Sequence, residues 1–150
     1  FLVIDDRTSR LEVSVFSEAF EQYGGKISKD ALLVVEGEIQ HDEYNGSMAL
    51  RASRILTIDE ARQRFSRVLH LDFSSAPLPE DFNLRLKHVV ENHRAAHQVT
   101  TQECPIVLSY QHAGAVAKIA LGEKWRVQVC ESLLQSLAQS FGQDRVTLKY

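Results

Sequence analysis

Cysteine is scarce. Only Cys104 and Cys130 occur, and neither has a His or Cys partner at metal-ligand spacing. That argues against a disulfide framework or a zinc module and suits thiols kept reduced in a cytoplasm. Three prolines and seven glycines are too few for a proline- or glycine-rich linker, and no internal repeat or low-complexity tract is present. No apolar run approaches the roughly 18 residues of a membrane span. The apolar start, about four residues long with no basic flank, predicts no secretory signal. Basic charge is not in excess either. Up to Arg67 there are 9 Lys and Arg against 12 Asp and Glu, and beyond it 8 against 8. Any nucleic-acid contact must then come from local clusters, and it should be weak and salt-sensitive.

The organising stretch is Ala31 to Ile58. Leu32 to Val35 form an apolar run rich in β-branched residues, as in a strand partly covered on both faces. Gly37 interrupts it, which in a strand signals a bulge or a close backbone approach. His41 to Ser47, with Asp42, Asn45 and Gly46, has turn chemistry. Met48 to Ile58 returns as a long strand with Leu50, Ala52 and Ile55 on its apolar face and Arg51 and Arg54 polar. Upstream, Phe1 to Asp5 and Arg10 to Phe16 read as a hairpin about Asp6-Arg7-Thr8-Ser9. Ser17 follows as the N-cap of a short helix through Tyr23, with Phe20 and Tyr23 inward and Gly24-Gly25 as the stop. Thr57-Ile58-Asp59-Glu60 has the form of a capping box and opens a connecting helix of about ten residues. The first 67 residues therefore read β-β-α-β-β plus a helix. That is the order of an OB-fold barrel whose first strand lies before Phe1, which begins in mid-strand; the chain looks like part of a longer polypeptide. Such a remnant would carry an open, adhesive edge through which a second copy could pair.

From Val68 the order is β-α-β-β-α-β, ferredoxin-like in sequence, and residues 68–150 form a small α/β domain. Val68 to Phe73 alternates, with Val68, His70 and Asp72 opposite Leu69, Leu71 and Phe73. Phe82, Leu86, Val89, Val90 and His93 keep a helical stripe from Glu80 to about His97. Gln98 to Glu103 is a polar loop. Pro105 to Gln111 and Ala115 to Leu121 form a hairpin about Gly114. Lys124 to Val129 is a candidate short strand. Leu133, Leu134, Leu137 and Phe141 mark a helix ended by Gly142, and Val146 to Tyr150 closes as a strand. The fold class expected is thus α+β, an incomplete OB barrel followed by a small α/β domain.

Catalytic chemistry is not in view. His93 and His97 have the spacing of a metal pair, but Arg94, Ala95 and Ala96 between them complete no HExxH motif. The acidic pairs Asp5-Asp6, Asp42-Glu43 and Asp59-Glu60 fall in turns or caps, where carboxylates serve the backbone. No GxSxG and no phosphate-cradling glycine cluster occurs. No catalytic residue, metal or cofactor is expected. What remains is the OB surface, where such barrels hold single strands with basic and aromatic side chains. Arg7, Arg10, Arg51 and Arg54 lie on or beside the relevant elements, with Tyr44 at a loop tip; Phe16 suits core and platform equally. Trp125, the sole tryptophan, is a buried anchor or an interface residue.

The runs IDDRTSRLEVSVFSEAFEQY and DALLVVEGEIQHDEYNGSMALRASRILTIDEAR closely resemble the OB domain of the bacterial replicative DNA polymerase III alpha subunit. Ser9 stands where that family usually has a hairpin glycine. PIVLSYQHAGAVAKIALGEKWRV, LLQSL and VTLKY look like the same subunit's C-terminal domain. The resemblance implies an OB domain that holds single-stranded template and a C-terminal domain that docks the tau subunit of the clamp loader, with the polymerase site upstream. Within the second domain the residues expected to dock are Trp125, Arg126 and those of the final strand, Leu148, Lys149 and Tyr150. Contrasting readings are an RNA-binding appendage of a tRNA synthetase and a purely structural domain pair.

Overall fold

The computed structural model describes residues 1–41, 46–96 and 103–150. Tyr44, His97 and the polar loop from Gln98 lie outside the described residues, apart from Glu103 at its end. The chain forms two compact units, Phe1–Ile58 and Asp59–Tyr150.

The first unit is built from β1 (Leu2–Asp5), β2 (Arg10–Ser14), α1 (Ser17–Tyr23), a 3₁₀ turn (Gly24–Lys26), β3 (Leu33–His41) and β4 (Met48–Thr57). Its sheet runs β1-β2-β4-β3, with β2 and β4 parallel and the other pairs antiparallel. The hairpin forms because Asp6 Oδ1 accepts from the Thr8 and Ser9 amides, each at 2.8 Å, and from the Thr8 hydroxyl at 2.6 Å. The left-handed residue of that turn is Arg7, at φ 70°, so Ser9 replaces a glycine without backbone strain. Gly37 sits at the bulge between β3 and β4. A Cβ there would lie 2.1 Å from the Arg51 carbonyl oxygen, so only glycine lets the strands approach.

Val13, Leu50, Ala52 and Ile55 form the core, with Tyr23 and Val35 packed against it. Phe20, expected inward, is 58 % exposed. Its ring lies beside Gly24 instead of reaching the sheet, because a helix of under two turns presents only one position, Tyr23, to the core. Among the described residues the sheet is open. A groove of about 950 Å³ runs between β1 and the segment entering β3, lined by Leu2, Ile4, Ile27 and Leu33.

The second unit takes in most of α2 (Ile58–Phe65), then β5 (Val68–Phe73), α3 (Phe82–Ala96), β6 (Ile106–His112), β7 (Ala115–Ala120), α4 (Glu131–Phe141) and β8 (Val146–Lys149). The sequence pattern groups α2 with residues 1–67, whereas the compact units divide at Ile58/Asp59. The physical reason is long-range. Asp59 Oδ1 accepts the Glu131 amide at 3.0 Å, capping α4, and Arg62 bridges Asp59 and Glu131.

The alternation along β5 and the stripe along α3 hold residue for residue. Leu69, Leu71 and Phe73 are fully buried, beneath Phe82, Leu86, Val89, Val90, Leu133 and Leu137. Phe73, Phe82 and Phe141 pack with ring centroids 5.1–5.9 Å apart. The βαββαβ element order is present, and the sheet runs β7-β6-β5-β8. β5 and β6 are parallel neighbours, so the βαβ unit is not split by a strand between them as in the ferredoxin-like arrangement. Lys124 to Val129 is not a strand. It holds the end of a 3₁₀ turn (Glu123–Trp125) and one bridge, Cys104 to Val127, because the Trp125 and Arg126 amides donate back to the Gly122 and Glu123 carbonyls and close the turn.

Candidate nucleic-acid interface and partner surface

In the first unit the strand register puts Arg10, Arg51 and Arg54 on the face opposite the core, together with Glu12, Glu36 and Glu38. Two of the three arginines are already engaged. Arg10 Nε donates to Asp5 Oδ2 at 2.9 Å, and Arg54 Nη1 donates to Glu36 Oε2 at 3.2 Å. A phosphate must compete with those carboxylates. Arg7 is exposed at the hairpin tip, where its amide donates to Asp5 Oδ1 at 2.7 Å. The hydrogen bonds that hold this turn keep the Asp6 carboxyl at about 2, well below its ordinary 3.8.

Arg51 is different. Its guanidinium lies 4.9 Å from the ring centroid of Phe16, which is 55 % exposed. The pair borders a groove of about 560 Å³ whose lining also includes Gln22, Gly37, Glu38 and Ser53. An exposed ring backed by a cation is what a base can stack on. Phe16 is thus resolved in favour of the surface. The signal in the sequence was its place one residue beyond the apolar Val15, out of phase with the inward set.

In the second unit Trp125 is half-buried against the helix-side core, with Lys124 Nζ 5.8 Å from its ring centroid. Arg126 is committed internally. It donates to Glu123 Oε1 at 3.4 Å and to the Glu103 carbonyl at 3.1 Å. Leu148 packs partly on the core and borders a groove of about 490 Å³ with Leu134, Ala138 and Val146. Lys149 is exposed, and Tyr150 is 66 % exposed. β8 ends, and the Cys104–Val127 bridge forms, at the end of the sheet where β5 and β6 begin. The structure therefore gathers the expected docking residues at one end of the sheet.

His93 is a core histidine whose Nε2 donates to the Gln128 carbonyl at 2.8 Å, with Cys130 Sγ 4.0 Å from Nδ1. Burial pushes the Cys104 thiol above its ordinary value, which disfavours the reactive thiolate. Among the described residues no group of three or more His, Cys, Asp or Glu is placed to hold a metal ion, and no helix is long and apolar enough to cross a membrane.

An open sheet with OB connectivity, followed by a small α/β unit with one helix-covered sheet face, defines the class: an OB-type unit joined to a compact α/β unit. Comparison with known proteins agrees unit by unit. The family model described as OB-fold nucleic acid binding domain matches residues 1–58, and that for DNA polymerase III subunit alpha, C-terminal domain, matches residues 85–142. The chain is 38 % identical over 150 residues to the DNA polymerase III subunit alpha of Pseudomonas aeruginosa, 34 % over 149 to that of Vibrio cholerae and 32 % over 147 to that of Escherichia coli K12. These alignments cover 98–100 % of this chain and 12 % of each relative. The chain belongs to the DNA polymerase III alpha subunit family and matches its C-terminal region.

Proposed function

We propose that this chain is a non-catalytic part of a cytoplasmic replicative polymerase, one that holds single-stranded template on the first unit and docks the tau subunit of the clamp loader through the second. The observation that carries the template reading is the exposed Phe16 ring with Arg51 on it, on a sheet of OB connectivity. Stacking supplies sequence-tolerant affinity, and Arg51 supplies a phosphate contact or a cation above a base. Docking at the Trp125 and Tyr150 end of the second sheet makes each contact raise the effective concentration for the other. The catalytic chemistry belongs to a polymerase site outside this chain.

The test is a fluorescence-anisotropy titration with labelled oligo-dT at two salt concentrations, with and without the C-terminal domain of tau. Phe16→Ala should lose about 1–3 kcal/mol per stacked base. Arg51→Ala should flatten the salt dependence by about 0.7 in the logarithmic slope. Arg10→Ala should do less, because Asp5 already holds that side chain. Unchanged binding in Phe16→Ala would refute the stacking platform. Preference for a structured RNA hairpin over oligo-dT would point to an RNA-binding appendage, and no effect of tau on the curves would remove the docking half.

A further inference from the structure

The helices α3 and α4 contribute to a core on one face of the second sheet. The other face carries Val68, His70 and Asp72 from β5, Val107, Ser109 and Gln111 from β6, Val116, Lys118 and Ala120 from β7, and Thr147 and Lys149 from β8. Register fixes their arrangement. Lys149 stands opposite Val68, one row from His70. Ser109 stands opposite both Asp72 and Lys118. Lys149, His70, Ser109 and Lys118 thus form a diagonal with one residue from each strand. Its middle is fixed, since His70 Nε2 and Ser109 Oγ are 2.7 Å apart and both residues are buried. Its ends are exposed lysines, neither in an ion pair among the described residues. Beside the diagonal runs a short apolar band, Val68, Val107 and Ala120, with Val116 57 % exposed on its far side.

We infer that this face is a docking surface for an acidic amphipathic helix of a partner protein, its apolar side on Val68, Val107 and Ala120 and its carboxylates on Lys118 and Lys149. A sheet with helices on one side and small aliphatic side chains on the other is suited to accept another layer. The two cations mark the charge of what lies there. A nucleic acid fits less well, because Asp72 stands inside the patch and the face has no exposed aromatic side chain for a base. The surface shares Lys149 with the residues expected to dock tau but faces away from Trp125 and Leu148, both of which pack on the helix-side core.

The experiment uses the full chain and two labelled amphipathic peptides of about 18 residues, long enough to cross four strands. They share one apolar face and differ in having only glutamates or only lysines on the polar face. The glutamate peptide should bind about tenfold more tightly than the lysine peptide, and Lys118→Glu/Lys149→Glu should erase that preference or invert it. Amide shifts should map to β6, β7 and Val68. Circular dichroism would verify that the double variant, altered only at exposed positions, remains folded. Equal binding of both peptides overturns the inference, as does shift mapping to Trp125 and Tyr150, or binding of oligo-dT that the double variant abolishes. A Tyr150→Ala variant that loses tau yet keeps the glutamate peptide would separate this surface from the tau reading.

Discussion

The two units spend their apolar residues differently. Among the described residues the second has a buried core cluster of sixteen residues, whereas the core cluster of the first has four, and the first leaves Phe1, Val3, Phe16, Phe20, Leu32 and Ile39 each more than half exposed. A sheet covered on one face by helices completes its own core. A four-stranded open sheet keeps its edges, and a groove lined by both apolar and charged residues, in water. On this contrast the second unit is expected to be the more stable and the first the more adaptable, as the proposed template-holding role requires.

The largest expected effect breaks this contrast at its stronger end. Phe73→Ala removes a ring that touches both Phe82 and Phe141 and should cost the second unit about 3–5 kcal/mol. Trp125, the sole tryptophan, reports that unit directly, so the urea midpoint of its fluorescence should fall. Ile55→Ala removes a fully buried side chain from the thin core and should cost the first unit about 2–5 kcal/mol. That loss should appear in amide exchange along β2 and β4 while the Trp125 midpoint stays in place. A matching shift in the Trp125 midpoint would mean the two units unfold as one.

A smaller effect is expected at the bulge. Gly37→Ala forces a Cβ onto the Arg51 carbonyl, and backbone cannot yield as a side chain can. The cost should be about 1–3 kcal/mol, confined to the first unit. Because Arg51 is displaced with its carbonyl, oligo-dT binding should weaken in the same variant. A Gly37→Ala protein with native stability would show that β3 and β4 are looser than the register implies.

What the chain displays locally was legible, and what depends on distant partners was not. Leu69, Leu71 and Phe73, the α3 stripe and the Gly37 bulge follow from periods of two and 3.6 and from glycine's missing side chain. Phe20 shares a helical face with Tyr23, yet only Tyr23 reaches the sheet, because the helix is too short for its direction to be read from spacing. Asp59 looked like part of its own helix cap and instead caps α4, 72 residues downstream. The adjacency of β5 and β6 is likewise set by pairing energy between distant segments. At the interface the arginines were legible as basic, but the carboxylates that occupy Arg10 and Arg54 lie across a turn and on a neighbouring strand. The His70–Ser109 contact joins strands that only the sheet order brings side by side.

The smallest effect separates the units by acidity. Burial, with Lys149 and Lys118 nearby and Asp72 opposing them, holds His70 below its ordinary 6.5. The folded second unit therefore binds that proton less tightly than the unfolded chain does. Its contribution is complete above pH 6.5 and declines as pH falls from there to the folded value, after which it is level. In the first unit Asp6 titrates at about 2 in place of 3.8, so the hairpin's contribution is intact above 3.8 and is lost only as pH falls toward 2. Mildly acid solution should then lower the Trp125 midpoint without touching the hairpin, and His70→Gln should remove that slope. Asp6→Asn should leave the near-neutral slope in place while weakening amide protection at Thr8 and Ser9. If the near-neutral slope persists in His70→Gln, another group in the second unit carries it, and the diagonal on the sheet face away from α3 and α4 is electrostatically quieter than its two lysines imply.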